Sequence, residues 1–185
     1  MEKNGVYSSY THGQLDGTGV DDGEHWAASG HLVFNVDRFT LKAQLSRYEY
    51  RIDNATPWGN DELIPMGAYD FAWPIATKAW LPAITVSYLI NTDTLPWLDS
   101  VLPYLEWSSS EKDSGSFNDS QLFIAGAAWA SGGWYIYSDL AYSDGNTFIG
   151  NRGDDYSRLD GIGDLGANGN NRWRYRFNLN LGYYF

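Results

Sequence analysis

Apolar and polar residues alternate along much of this chain, most clearly at its C-terminal end. From Arg172 to Phe185 it reads RWRYRFNLNLGYYF. Trp173, Tyr175, Phe177, Leu179, Leu181, Tyr183 and Phe185 form one set; Arg172, Arg174, Arg176, Asn178, Asn180, Gly182 and Tyr184 form the other. A strand repeats its side-chain direction every second residue, so each set occupies one face. Fourteen residues is far longer than the usual globular strand of about 5–6 residues and suits a tilted strand crossing a bilayer, which needs about 9–11.

The same period recurs upstream. Trp134, Ile136, Leu140 and Tyr142 oppose Tyr135, Tyr137 and Asp139; Trp80, Pro82, Ile84, Val86, Tyr88 and Ile90 oppose Leu81, Ala83, Thr85 and Ser87. Trp26, Ala28, Gly30, Leu32, Phe34 and Val36 oppose His25, Ser29, His31 and Asn35; Phe39, Leu41, Ala43 and Leu45 oppose Thr40, Lys42, Gln44 and Ser46. Val101–Trp107 and Leu122–Ala130 follow the pattern less cleanly, and Gly5–Gln14 least. About eight strands are expected, in one domain over residues 1–185. Short turns at Asn35–Arg38 and Ser131–Gly133 and a medium one over Asn91–Ser100 alternate with long polar connections at Leu15–Glu24, Asp53–Lys78, Glu111–Ser120 and Asn146–Asn171. Short–long alternation gathers the long loops at one end, as in up-and-down outer-membrane barrels. With eight strands both termini fall at the short-turn end.

Alternation alone does not say which face is wet, since a soluble barrel has the same period with its faces exchanged. Strand length favours lipid. So do aromatics at both ends of the apolar face: Trp26, Trp80, Trp107 and Trp173 at one, Phe39, Trp134, Tyr183 and Phe185 at the other, where their amphipathic rings suit the headgroup level. The expected fold is all-β: a transmembrane antiparallel barrel of about eight up-and-down strands, complete or as half of a larger barrel.

Composition narrows the function classes. The net charge of −11, from 23 acidic and 12 basic residues, argues against a nucleic-acid partner. An aromatic content of 17%, with 9 Trp and 14 Tyr, argues against disorder. Cys is absent, so disulfides and thiolate metal sites are excluded. No apolar run reaches the roughly 18 residues of a membrane helix. Met1–Gly5 contains no apolar signal core, so Met1 reads as the start of a processed, recombinant or truncated chain.

The final NLNLGYYF resembles the C-terminal signature of bacterial outer-membrane proteins, and the order of segments resembles the C-terminal part of Gram-negative porins related to the phosphate-selective and carbohydrate porins. The matching stretches are RYEYRIDN at Arg47–Asn54, GAYDF at Gly67–Phe71, FNDSQ at Phe117–Gln121, WYIYSDLA at Trp134–Ala141 and RFNLNLGYYF at Arg176–Phe185. The resemblance implies a bacterial outer-membrane location, with lipid, lipopolysaccharide and the barrel-assembly machinery as partners. It also implies Phe185 and Tyr183 as the assembly signal, and it leaves room for further barrel strands or a homo-oligomer. Phosphate selectivity does not carry over, because the chain is acidic with few lysines.

The expected role is passive diffusion of small solutes or ions, with Arg172, Arg174, Arg176, Asp139, Glu106, Tyr135, Tyr137, Tyr104 and Lys42 lining the lumen. The alternative is a small closed barrel with a structural or surface-interaction role and little conductance. The three arginines repel one another and call for carboxylate partners, for which Asp139 and Glu106 are the candidates. Catalysis would need a nucleophile with an oriented base; His12, His25 and His31 belong to no recognisable motif, and no enzyme activity or cofactor is expected. Asp154-Asp155 and Asp160–Asp164 fail the EF-hand spacing and read as a solvated loop, with a weak divalent site bridging lipopolysaccharide as the lesser reading. Pro65 and Pro74 flank Gly67–Phe71, a segment that either enters the lumen or rests on the rim.

Overall fold

Long antiparallel strands dominate the computed structural model, which describes residues 4–17, 20–52, 61–68, 71–113, 119–144 and 173–185. The eight principal strands are β1 (Gly5–Gly17), β2 (Val20–Val36), β3 (Phe39–Arg51), β6 (Lys78–Tyr88), β8 (Ser100–Lys112), β9 (Ser120–Ser131), β10 (Trp134–Asp144) and β11 (Arg174–Tyr183). They lie side by side in chain order, each antiparallel to the next. The two-residue β7 (Ile90–Asn91) pairs with β8, and β4 (Leu63–Ala68) with β5 (Phe71–Ala76) forms a separate hairpin. No described residue is helical.

The sheet is open. Its edges are β1 and β11, which do not pair with each other. The expected run of about eight antiparallel up-and-down strands is present, as an open sheet and not as a closed barrel.

Two short turns fall where expected. Asp37 and Gly132 each take a positive φ, of 50° and 54°, at the first residue of a two-residue hairpin connection. Glycine reaches that region freely, and Asp is among the side chains that tolerate it. The Asn91–Ser100 connection is tied down instead of being a plain loop. Asp99 N donates to Ala130 O (2.8 Å), Gly132 N to Asp99 Oδ2 (2.6 Å), and Ser131 Oγ to Trp97 O.

Two connections differ from expectation. Most of Leu15–Glu24 is strand, because β1 and β2 run on past the apolar band with a register irregularity between Leu15 and Gly17. Asp53–Lys78 contains the β4–β5 hairpin, with Pro65 opposite Pro74. The hairpin's base docks at the long-loop end of β3: Tyr50 N donates to Thr77 O (2.8 Å), Thr77 N to Glu62 O (2.8 Å), and Tyr48 OH to Ala76 O (2.9 Å). Ile52, Leu63, Ile64 and Ala76 are buried there. Arg172, Asn146–Asn171 and with it the Asp154–Asp164 stretch lie outside the described residues.

The pairing register fixes the faces. Val36, Phe39 and Tyr88 share one side across β2, β3 and β6; Trp107, Phe123, Tyr142 and Tyr175 share the same side across β8 to β11. Within the eight long strands, every exposed large apolar side chain except Tyr7 and Tyr137 lies on this outer face. The inner face differs in size and in cover. Ala79, Ala128 and Ala141 point inward and are only 0%, 3% and 2% exposed, whereas the outward Leu105 and Phe177 are 58% and 64% exposed. Among the described residues no second layer of strands packs over Ala128 or Ala141.

Candidate pore wall

The outer face carries a charge-free band. Among the described side chains, its charged residues within the strands, Glu24, Arg47, Glu49, Arg51, Lys78, Glu111 and Asp144, all sit at the long-loop end. An aromatic row marks that end: Trp107 and Phe123 rings lie 6.4 Å apart, Phe123 and Trp173 5.9 Å, and Tyr142 stacks on Trp173 at 4.6 Å. The short-turn end has its own row, with Trp134 5.0 Å from Tyr183, Tyr183 6.5 Å from Phe185, and Phe39 opposite Tyr88. The one polar side chain in the middle of β10's outer face, Ser138, accepts the Trp129 indole N–H at 3.0 Å.

At the charged rim, Arg47 makes a two-pronged bond to Asp113 and holds its guanidinium 5.2 Å from the Trp80 ring. Asp113 lies beyond β8, and its carboxyl is held below the usual range chiefly by that arginine. Glu49 receives Arg51 (2.8 Å) and Lys78 (3.3 Å).

The inner face holds every described residue expected to line a lumen: Lys42 on β3, Tyr104 and Glu106 on β8, Tyr135, Tyr137 and Asp139 on β10, Arg174 and Arg176 on β11. Following the register sideways, Arg176, Ala141, Ile124, Glu106, Thr85, Lys42, Val33 and Gly5 form one continuous row across all eight strands. The adjacent row runs Asn178, Asp139, Gly126, Tyr104, Ser87, Thr40.

The expected pairing of the arginine ladder with Asp139 and Glu106 changes in this register. Asp139 accepts from Asn178 Nδ2 at 2.8 Å and from Tyr104 OH at 3.4 Å. Glu106 accepts from Thr85 Oγ1 at 3.5 Å, a long bond. Three strand spacings, about 14 Å along the sheet, separate Glu106 from Arg176. Arg174 stands opposite Ser143 at the long-loop end, its Nε buried without a hydrogen-bond partner. Tyr135 and Tyr137 meet edge to face at 4.9 Å.

Two residues missed by the sequence reading organise this wall. Gly126 sits directly between Tyr104 and Asp139, and a Cβ there would meet the Tyr104 ring at 2.6 Å and Asp139 Cβ at 2.8 Å. Only glycine lets the tyrosine lie across β9 to the carboxylate. Asn178 supplies the amide that holds Asp139. Neither role has a local sequence signal, because both depend on which strands pair and in what register.

The histidines do not converge. His25 stacks on Tyr50 (5.5 Å) and lies over Gly13, His31 stacks on Tyr7 (4.8 Å), and His12 faces outward 3.7 Å from Glu24. Among the described residues no group of three or more His, Asp or Glu side chains could hold a metal ion. At the C-terminus, β11 ends at Tyr183, and Tyr184 N still donates to Gly133 O at 2.8 Å; Phe185 lies beyond the strand, fully exposed.

The chain matches no known protein family, no curated protein and no solved structure.

Proposed function

We propose that this chain forms the wall of a transmembrane β-barrel in a bacterial outer membrane, and that its polar face lines a narrow passive path for small solutes or ions. The observation that carries this reading is the outer face: charge-free, apolar, and bounded above and below by aromatic rows. On β6 the band runs from Trp80 to Tyr88, about 26 Å along the strand and about 20 Å along the normal at a 40° tilt, close to the apolar belt of about 25 Å that outer-membrane barrels present. A soluble protein would leave this whole surface in water, well beyond the few hundred Å² that monomers usually expose. Lipid and lipopolysaccharide are the partners of that surface, and the assembly machinery is the partner of Tyr183 and Phe185.

A second reading, a small filled barrel with a structural or surface-interaction role and little conductance, is favoured by the covered inner face around Ala128 and Ala141.

Flotation with phospholipid vesicles followed by planar-bilayer recording tests both. The protein is expected to float with the vesicles after an alkaline wash and to open small, steady, ohmic channels. Flotation without conductance would select the second reading. A detergent-free monodisperse monomer that ignores vesicles would overturn both.

A further inference from the structure

The free edges of β1 and β11 are compatible with each other. Eight strands is an even number, so the two edges run antiparallel. Their faces match as well: Val6 and Tyr10 share the outer face with Leu179, Leu181 and Tyr183, while Tyr7 and Ser9 share the inner face with Asn180 and Gly182. Backbone groups left unpaired along either edge would be costly in hydrocarbon.

A recurring inner-face contact indicates the register. Twice in this sheet a ring covers the glycine directly opposite it: His25 lies over its partner Gly13, with a ring atom 2.6 Å from the site of a Cβ, and Tyr104 lies over its partner Gly126 in the same way. Aromatic cover of strand glycines is a known device for pinning register. Gly182 is not covered in this way. Its partner on β10 is Tyr135, but that ring turns to Tyr137, and the nearest atom to a Cβ at Gly182 is a backbone oxygen at 3.5 Å. No side-chain atom lies within 4 Å of a Cβ placed at Gly182. On the other edge, Tyr7 is an inward, half-exposed aromatic whose ring stacks on His31 and leans over Gly5 of its own strand, with its remaining face turned to the interior.

The geometry points to closure of the sheet on itself: β1 pairs with β11 of the same chain, with Tyr7 opposite Gly182. This rests on the membrane-barrel reading above and specifies its wall. The register then sets Val6 opposite Tyr183, Ser8 opposite Leu181 and Gln14 opposite Tyr175. Its consequence for the barrel is checkable. Gly5 would face Tyr184, whereas the lateral row from Gly5 arrives at Arg176, eight positions away. A shear of eight over eight strands gives a tilt of about 35°, at the edge of the range found in barrels. Closure by the same chain also suits the inner face, where small side chains beside large ones fill a narrow interior.

The chain has no cysteine, so disulfide trapping reads the pairing directly. Ser8→Cys with Leu181→Cys and, separately, Gln14→Cys with Tyr175→Cys are oxidised in the full chain floated on phosphatidylcholine vesicles. Ser8→Cys with Leu179→Cys is the register control, because diagonal neighbours lie about 7–8 Å apart, beyond disulfide reach. Expected are intrachain crosslinks for both on-register pairs, seen as a mobility shift at monomer mass, and none for the control. Crosslinks at dimer mass would overturn self-closure in favour of a barrel shared by two copies. Absence of crosslinks in floated protein would also overturn it, in favour of other strands at these edges. Control crosslinking above the on-register pairs would overturn the register. Failure to float is a separate result, which strikes the membrane reading itself.

Discussion

Replacing Leu179 by arginine separates a lipid-facing sheet from a water-facing one. Leu179 points outward and is more than half exposed. It stands four residues from Tyr175 and four from Tyr183, the β11 members of the two aromatic rows, so about 13 Å along the strand and about 10 Å along the normal separate it from either. That is near the middle of the band, where an arginine on the lipid face of a barrel costs about 2–4 kcal/mol. If the same face met water, the substitution would change stability by no more than about 0.5 kcal/mol. Asn180→Arg, one residue along and inward, is the matched control and is expected to cost less. Urea unfolding of the vesicle-inserted protein reads the difference. With a slope of about 1–3 kcal/mol per molar, the Leu179→Arg midpoint should fall by about 1–2 M. A midpoint unchanged for Leu179→Arg, or lowered equally by Asn180→Arg, would refute the assignment of faces.

Gly126→Ala is expected to destabilise by about 1–3 kcal/mol through overpacking against Tyr104 and Asp139; in a Tyr104→Ala background the cost should shrink, and an unchanged cost in the double-mutant cycle would sink the proposed contact. Replacing Arg172, Arg174 and Arg176 by serine is expected to shift reversal potentials toward cation preference if the inner face conducts, since fixed positive charge in a low-dielectric wall attracts anions; unchanged selectivity in a conducting mutant removes them from the mechanism. Asp113 has a folded pKa below its unfolded one, so its contribution is present above the unfolded carboxylate value of about 3.9 and fades as pH falls through the folded value. Asp113→Asn should therefore narrow the stability gap between neutral and acidic pH, and identical pH curves for the two proteins would contradict this. Deleting Phe185 should reduce assembly in cells while leaving refolding into detergent largely intact, because it lies beyond the end of β11, fully exposed, with its ring against Tyr183; equal losses in both assays would contradict the signal role.

Strand existence and facing were legible because a period of two is a local property. RWRYRFNLNLGYYF sorts its own residues into two faces without knowing its neighbours. The weaker alternation of Val101–Trp107 and Leu122–Ala130 still marked β8 and β9 within a longer extent. Strand ends were less legible. Beyond the apolar band, β1 and β2 continue through polar residues that read as a loop, because a two-stranded ribbon projecting past the band needs no alternation. The β4–β5 hairpin was hidden for a related reason: Pro65 and Pro74 argue against strand locally, yet they face each other in a pair with free outer edges, where a missing N–H costs nothing. The wall's internal bonds were not legible at all. Asp139 takes Asn178 and Tyr104 in place of the expected arginines because register and glycine gaps decide side-chain reach, and both emerge only when strands pair.

The lateral row through Arg176, Glu106 and Lys42 has a bearing on what a permeating ion would meet. A hydrogen-bonded row runs perpendicular to the strands, so in a tilted wall it climbs like a staircase. Arg176 is seven residues from the short-turn end of its strand, Glu106 six, and Lys42 three. In the proposed closed wall, five interstrand steps at a tilt of about 35° would lift Arg176 above Lys42 by about 14 Å. In that wall the three charges would not act as one ring at a single depth. An ion entering from the long-loop side would pass a positive, then a negative, then a positive site in succession. Such a sequence hands either sign of ion from one shallow well to the next and gives neither a deep trap.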